Sequence, residues 1–382
     1  MEQKALPEVC HIQYGYPFDS KRFSDKEGFP LIRIRDVVRG HTETFTTESC
    51  NDEYIVKKGD ILIGMDGMFN VAKWKGNTAY LNQRVCKIEP NSSIVADYLF
   101  YYLPCALKKI ENKTAFVTVK HLKAKQLNSI LIPCPPVKEQ KRIAQILDLL
   151  FYLICQKKKQ LNYLDELVKS RFIEMFGDPQ SNCYNWKIVP LKDVMVGGAL
   201  NGYFTKSQNY DIEGNVGVIC VSDVVNRKYT NVNALRRAFA SEKDLQKYCV
   251  KYGDMLFCRS SLVKEGIGKA SIIPPHTEND ILFECHVIKI TLDMSRVIPE
   301  YLQALSITDF FRIQVIRQSK TATMTTIGQK DIASVNILLP PMELQKRFTE
   351  FSAQIDKSKL AVQKSLDELE ILKKSLMQTY FG

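Results

Sequence analysis

The feature that most constrains this chain is an internal repeat. The segment Leu131-Ile-Pro-Cys-Pro-Pro-Val-Lys-Glu-Gln-Lys-Arg142 recurs 205 residues later as Asn336-Ile-Leu-Leu-Pro-Pro-Met-Glu-Leu-Gln-Lys-Arg347. The same spacing then holds without a gap to the last residue. Self-similarity of this kind indicates two tandem copies of one structural unit. The copies are residues 1–177 and 178–382.

Length varies only in the first part of each copy. Matching segments are 187, 194 and 203 residues apart along the copies before the spacing settles at 205 at the Pro-Pro pair. Each copy therefore joins a variable globular part to a segment of constant length, as expected of two different recognition domains on a common frame. The predicted domains are the first globule (1–137), the first helical segment (138–177), the second globule (178–342) and the second helical segment (343–382).

The two helical segments predict long helices that pair as a coiled coil. Apolar residues recur in alternating steps of four and three, interrupted by Lys157, Arg171, Ser352, Lys359 and Lys373. A helix of ~39 residues is a rod of about 58 Å. An antiparallel intramolecular pair with the globules at opposite ends is the simplest arrangement. The alternative is two amphipathic helices that pack on their own globules.

Each globule predicts an α+β fold with a small, largely antiparallel sheet. Segments of β-like alternation and short apolar runs that follow a Gly-Asp pair are typical of strands. The Gly59-Asp60 and Gly253-Asp254 pairs are interpreted as turns rather than catalytic groups. The predicted elements are strands near 31–36, 60–64, 85–88, 218–223, 254–258 and 286–291, and helices over 95–110 and 299–317.

The distribution of charge predicts a nucleic-acid partner for the globules. The chain has 53 basic and 42 acidic side chains, a net charge of +11, and a sequence pI near 9.0. The helical segments hold 15 of the basic and 11 of the acidic residues, so +7 lies in the globules. Excess positive charge of this kind favours contact with phosphates.

Polar residues in the globules supply candidate contacts to double-stranded DNA. Arg, Lys, Asn and Gln read base edges, whereas Lys, Ser and backbone amides hold phosphates. The loops at 65–73 and 259–269 carry such groups, and the alternative for each residue is a solvated or ion-paired side chain. The candidates are Lys73, Lys75, Asn82, Gln83, Arg84, Lys120, Arg259, Ser260, Lys264, Lys269 and Lys320, with Lys113, His121, Thr321 and Thr323 as further backbone contacts.

Motifs for catalysis and metal binding are absent from the sequence. There is no phosphate loop, no Rossmann glycine motif, no Gly-x-Ser-x-Gly and no His-Glu-x-x-His. The eleven scattered cysteines lack a Cys-x-x-Cys pair and are expected to be reduced and mostly buried. No catalytic or metal residue is assigned, and a nuclease built from scattered carboxylates stays open as an alternative.

The sequence favours a cytoplasmic protein. No segment approaches the ~20 apolar residues that a membrane span needs. The first residues, Met-Glu-Gln-Lys-Ala-Leu-Pro, lack the apolar stretch of a secretory signal.

Over its whole length the chain resembles the specificity subunit of a type I restriction-modification system. The resemblance is carried by Ile132-Pro-Cys-Pro-Pro-Val-Lys-Glu-Gln-Lys-Arg-Ile-Ala-Gln-Ile-Leu-Asp148 and its second occurrence at 339–347. The Asp-Ile-Leu strand and Asn82-Gln83-Arg84 are similar to family usage. The second copy departs from the pattern with Leu344 in place of Glu139 and Phe283-Glu-Cys-His286 in place of Asn-Gln-Arg.

The resemblance implies a function and a set of partners. Each globule would read one half of a bipartite DNA site, and the helices would set the gap. The helices would also dock two methyltransferase subunits, which use S-adenosylmethionine, and the complex would include two motor-nuclease subunits, which use ATP and Mg. The chain itself would bind no cofactor and catalyse nothing. The implied docking residues are Gln140, Arg142, Ile143, Leu161, Leu164, Gln345, Arg347, Leu366 and Leu369.

Two hypotheses from other classes stay open at this point. A coiled-coil scaffold with two protein-binding globules would not lose affinity steeply with salt, whereas a DNA reader would. A self-sufficient nuclease would cut DNA in a metal-dependent reaction without partners.

Overall fold

The computed structural model describes residues 2–113, 120–204, 210–275, 277 and 280–382, and the side chain of Lys113 lies outside that description. The chain forms two compact units. The first unit is Met1–Lys159 with Gln363–Gly382, and the second is Gln160–Val362. Each unit therefore combines one globule with parts of both helical segments.

The described part of the first globule contains a four-stranded, a five-stranded and a two-stranded sheet. Its strands are β1 (Gln3–Ala5), β2 (Cys10–Tyr14), β3 (Phe23–Ser24), β4 (Phe29–Ile32), β5 (Phe45–Thr46), β6 (Ile55–Val56), β7 (Ile61–Gly64), β8 (Val71–Lys73), β9 (Ala79–Leu81), β10 (Val85–Pro90) and β11 (Leu131–Pro133), and its helices are α1 (Leu6–Val9), α2 (Ile34–Arg39), α3 (Ala96–Lys113) and α4 (Ala124–Asn128). The orders are β2-β10-β7-β8, β3-β5-β4-β9-β6 and β1-β11. The strand β4 runs parallel to β9, and the other pairs are antiparallel.

The long helix α5 (Val137–Phe176) follows β11, and the second globule begins after it. The strands there are β12 (Lys187–Pro190), β13 (Leu200–Asn201), β14 (Val216–Ile219), β15 (Arg236–Ala238), β16 (Asp254–Cys258), β17 (Ser260–Ser261), β18 (Ala270–Ile272), β19 (Ile281–Phe283), β20 (Val287–Thr291), β21 (Lys320–Thr321), β22 (Thr325–Thr326) and β23 (Asn336–Leu339). The helices are α6 (Val221–Val224), α7 (Glu242–Tyr248), α8 (Pro299–Ser306), α9 (Asp309–Gln318) and α10 (Gln329–Ala333), and the chain ends with α11 (Met342–Phe381).

The second globule repeats the strand pairing of the first. Its sheets have the orders β13-β20-β16-β18, β15-β14-β19, β17-β22-β21 and β12-β23. As in the first globule, one four-stranded sheet is antiparallel, one parallel pair (β14 with β19) lies beside it, and a two-stranded pair precedes the long helix. The predicted fold class, α+β with small and mostly antiparallel sheets and two long helices, is confirmed.

The predicted strands at 31–36 and 218–223 were wrong in their second halves. The strands end at Ile32 and Ile219, and the short helices α2 and α6 begin two residues later. The Asp36 carboxylate accepts the backbone N–H of Arg33 at 2.9 Å, and Asp223 accepts that of Cys220 at 2.9 Å. Caps of this kind start a helix and override a period-two pattern.

The helix predicted over 299–317 is two helices, α8 and α9. The break is stabilised locally, because the Thr308 hydroxyl donates to the carbonyl of Leu305 at 2.7 Å. The predicted loops at 65–73 and 259–269 also contain regular structure, namely β8 and β17. The two Gly-Asp pairs do form turns, with φ of +98° at Gly59 and +96° at Gly253.

The predicted seam of the coiled coil is confirmed by burial. Along α5 and α11 the seam positions, including the polar interruptions, are buried or half-buried, while most of the positions between them are exposed. Among those interruptions, two lysines have partners within their units. Lys359 forms an ion pair with Asp165 in the second unit, and the Lys373 ammonium lies 4.8 Å from the ring centroid of Phe151 in the first.

The two helices are antiparallel within each unit. In the first unit Phe151 lies by Lys373 and Lys158 pairs with Glu370 at 3.0 Å. In the second unit the later residues of α5 meet the earlier residues of α11, since Asp165 pairs with Lys359 and Phe172 stacks edge-on against Phe348. Residue numbers rise along α5 as they fall along α11, which defines the antiparallel direction.

Each globule is completed by the last turn of the helix from the other copy. The Phe381 ring of α11 packs in the core of the first unit, 5.4 Å from Tyr98. The Phe176 ring of α5 packs in the core of the second unit, 4.8 Å from Tyr301. Because these are matching residues of the repeat, both units have the same construction.

A buried glutamine fixes the start of each long helix. Gln140 is 1% exposed, accepts the backbone N–H of Val95 at 2.8 Å, and donates to the carbonyls of Pro135 at 2.9 Å and Ser93 at 3.2 Å. Gln345, which is 0% exposed, repeats the three bonds with Ile298, Pro340 and Arg296 at 2.9, 2.9 and 3.2 Å. One amide thus satisfies three backbone groups that burial removes from water.

The cysteines are free thiols, and four of the eleven are buried. Burial raises the pKa of Cys10 and Cys86 to about 12, which keeps both protonated at neutral pH. In the described ranges no cluster of three or more His, Cys, Asp or Glu side chains is arranged to hold a metal. None of the helices in these ranges is long and apolar enough to cross a membrane.

Replacing Gln140 with alanine should destabilise the first unit by about 1–3 kcal/mol, because the N–H of Val95 and two carbonyls lose their buried partner. Gln145→Ala, an exposed glutamine in the same helix, should change stability by less than about 0.5 kcal/mol. Urea denaturation of the full chain measures both. Equal losses in the two variants would contradict the role of the buried amide.

Candidate nucleic-acid interface

Three chain segments meet at one edge of the first globule. The N–H of Met65, just after β7, donates to the carbonyl of Arg84 at 2.8 Å, and the N–H of Leu122 donates to the carbonyl of Met65 at 2.7 Å. An isolated bridge pairs Asp66 with His121. We call Asp66, Arg84 and His121 the first corner.

The second globule has the same backbone arrangement. The N–H of Arg259 donates to the carbonyl of His286 at 2.8 Å, and the N–H of Ile327 donates to the carbonyl of Arg259 at 3.1 Å. The strand pair β17-β22 sets Ser260 opposite Thr326. We call Ser260, His286 and Thr326 the second corner.

The two exposed side chains of the first corner, Arg84 and His121, contact the same carboxylate, that of Asp66. Nε of Arg84 lies 3.6 Å from Oδ2 of Asp66, and Nδ1 of His121 lies 2.7 Å from Oδ1. The side chains of Arg84 and His121 are 59% and 51% exposed, whereas that of Asp66 is 25% exposed. Asp66 therefore orients two exposed groups that have hydrogen-bonding capacity left over.

The second corner has different side chains in the same places. Nδ1 of His286 lies 3.2 Å from the buried hydroxyl of Ser260. His286 and Thr326 are both exposed, and Lys320 lies opposite Thr326 on the neighbouring strand β21. A hydroxyl thus takes the orienting place that a carboxylate has in the first corner.

The backbone at Arg84 is strained. Its φ is +72°, in the left-handed region that a side chain other than glycine rarely adopts. A residue held there costs about 1–3 kcal/mol, and such strain clusters at functional sites.

The predicted DNA contacts of the first globule fall into two groups. Lys75, Gln83 and Arg84 are exposed. Asn82 is 7% exposed and accepts the N–H of Gln83, Lys73 is paired with Asp97, and the Lys120 ammonium donates to the carbonyl of Glu111 at 3.0 Å. The exposed group lies on the turn before β10 and just after β8.

The predicted contacts of the second globule divide in the same way. Lys264 and Lys320 are exposed. Lys269 donates to the Asn226 side chain at 2.6 Å, Arg259 donates to the carbonyl of Cys285 at 3.0 Å, and Ser260 is buried. Their contacts with DNA stay a prediction.

The predicted docking residues of the helices lie in different environments. Gln140, Gln345, Ile143 and Leu366 are buried, and Leu161, Leu164 and Leu369 are half-buried in the seam. Arg142 and Arg347 are exposed. The exposed faces carry large apolar residues that the seam analysis did not single out, namely Leu149, Tyr152, Tyr163, Leu360 and Ile371.

Sequence reasoning missed Asp66, His286 and Thr326. The repeat held the signal, because Thr326 follows His121 by the constant spacing of 205 residues. Chemically different side chains at repeated positions mark places where the two globules differ in what they can bind.

Comparisons with known proteins agree with the resemblance. Residues 1–164 match the family described as type I restriction modification DNA specificity domain. The chain is 29% identical to the EcoBI specificity subunit of Escherichia coli, over 99% of this chain and 84% of that protein. It is 26% identical to the MjaVIII specificity subunit of Methanocaldococcus jannaschii, over 91% and 87%. The fold is similar to that of a type I restriction-modification S subunit from M. genitalium, with a TM-score of 0.57, 12% identity and coverage of 100% and 96%.

Arg84→Gly should leave stability unchanged or raise it by up to about 1 kcal/mol, because glycine adopts the left-handed backbone without strain. Gln83→Gly in the same turn should lose about 0.5–1 kcal/mol, since glycine there only adds freedom to the unfolded chain. Thermal unfolding of the two variants measures the difference. If the Arg84→Gly variant were less stable than the Gln83→Gly variant, the backbone at Arg84 would not be strained.

Proposed function

We propose that this chain is a type I restriction-modification specificity subunit, the DNA-reading subunit of its complex, and that it reads one half of a bipartite site with each globule. The observation that carries the proposal is one backbone frame that occurs twice with different side chains at its exposed corner. Two readers on one frame match an asymmetric site with two different halves.

Exposed lysines of the globules would supply affinity without sequence preference. Lys75, Lys264 and Lys320 are solvated cations suited to phosphate contacts, which position a protein on the duplex. Base edges are then read by side chains with directional donors and acceptors.

The long helices would act as the ruler between the half-sites. Each has 40 residues, about 60 Å at 1.5 Å per residue. Half-sites on one face of B-DNA lie about 34 Å apart. Rods of this length are sufficient to link two readers over such a gap.

The outer faces of the helices would dock the partner subunits. Large apolar side chains such as Tyr163 and Leu360, 71% and 73% exposed, provide area for contact with a protein. Two methyltransferase subunits would bind there and methylate adenine with S-adenosylmethionine. Two motor-nuclease subunits would use ATP and Mg, so the chain itself contributes recognition and no catalytic group.

Cells that express this chain with its methyltransferase subunit should show a bipartite methyladenine motif, and cells with residues 1–177 alone should not show the same motif. Replacing residues 1–137 with the matching part of another specificity subunit should change only one half of the motif, because each half has its own reader. Methylome sequencing measures both. A change in both halves would contradict separate readers, and no motif despite bound methyltransferase would favour a protein scaffold.

Inserting one heptad at matched positions of α5 and α11 should lengthen the preferred gap by about three base pairs, since seven residues add about 10 Å of helix. A heptad preserves the seam, whereas insertion of five residues breaks it and serves as the control. The same sequencing reads the gap directly. An unaltered gap in the heptad variant would overturn the ruler.

A further inference from the structure

We infer that the exposed pairs Arg84 with His121 and His286 with Thr326 are the base-reading residues of the two half-sites, and that Asp66 and Ser260 position them. The inference rests on the proposed function and adds the residues that determine specificity. Asp66 and Ser260 would then affect how strongly one base is preferred over another through the residues that they hold in place.

The two corners share their backbone contacts and differ in their side chains. Where the two globules share both a backbone contact and a side chain, the side chain holds the fold, as Gln140 and Gln345 do. At the corners the backbone contacts are shared while the side chains differ at all three positions. Different exposed hydrogen-bonding side chains on a shared backbone frame are what two different half-sites require.

The exposed side chains of the two corners have hydrogen-bonding groups that suit base edges. The Arg84 guanidinium offers a planar fork of donors that matches the O6 and N7 acceptors of guanine. Imidazole and threonine hydroxyl groups donate or accept single hydrogen bonds, and the threonine methyl suits contact with thymine. The two corners therefore present different patterns of donors and acceptors.

Neighbouring side chains hold the exposed corner residues in a defined orientation. A reader must be held close to its productive geometry, and the Asp66 carboxylate touches both Arg84 and His121. The Arg84 backbone is held at a φ of +72°, and its side chain reaches the same Asp66 carboxylate. Ser260 holds His286 at 3.2 Å in the second corner.

The test uses the full chain bound to its methyltransferase subunits, with methylome sequencing as the readout. Arg84→Lys keeps the charge and loses the fork, so preference at one base pair of the first half-site should fall by about 10- to 150-fold. His121→Ala should relax one further base pair of that half. His286→Ala and Thr326→Val should act only on the second half.

Matched controls are Lys57→Ala and Lys251→Ala, which remove equivalent exposed cations outside the corners. They should leave the motif unchanged. Asp66→Ala should relax both base pairs that Arg84 and His121 read, and Asp66→Asn, which keeps an acceptor, should restore at least part of the preference. A structural defect would instead lower methylation at every site without altering the motif.

The possible results test the proposed function and this inference separately. If the wild-type complex yields no bipartite motif, the proposed function fails and this inference with it. If the wild-type motif is present and is unchanged in Arg84→Lys, His121→Ala, His286→Ala and Thr326→Val, the inference alone is overturned.

Discussion

The buried glutamine amide at the start of each long helix is the constraint on which the rest of the structure depends. Gln140 and Gln345 each tie three backbone groups of a globule to the first turn of a 40-residue helix. Because a helix is stiff, a change in the direction of its first turn would shift all of its later contacts. Neither amide has a free donor for rearrangement, because both N–H groups and the oxygen are used.

The last turn of each long helix is also anchored, because it packs in the hydrophobic core of one unit. Phe176 and Phe381 end the two helices and fill equivalent places in the cores of the two units. Polar residues in the seam then determine the register. The ion pairs Lys359–Asp165 and Lys158–Glu370 form only when the helices are antiparallel and correctly aligned. The ion pair holds the pKa of Glu370 below its usual range, so this contribution to stability is present at neutral pH and is lost on acidification.

Features set by local spacing were predictable from the sequence, and features set by meetings of distant segments were not. The repeat and the seam predicted both long helices to within one residue, and apolar runs predicted β7, β10, β16 and β20. The short helix α2 escaped prediction because the Asp36 cap outweighs alternation, and the break between α8 and α9 is stabilised by local hydrogen bonds of the Ser306 and Thr308 hydroxyls. The first corner joins positions 66, 84 and 121, and only folding shows that Arg84 stays exposed while Asn82 beside it is buried.

The separation of frame from corner explains how one fold can carry two specificities. The corner is held by bonds between backbone groups, such as Met65 to Arg84 and Arg259 to His286, and these bonds do not depend on side-chain identity. Substituting an exposed corner residue therefore costs little stability, and under the proposed function it would change the pattern of donors and acceptors offered to a base. The starts of the two long helices are fixed by separate buried amides, Gln140 and Gln345, which lie outside the corners. Under the proposed function, base preference and gap length would therefore be set by different residues of the same chain.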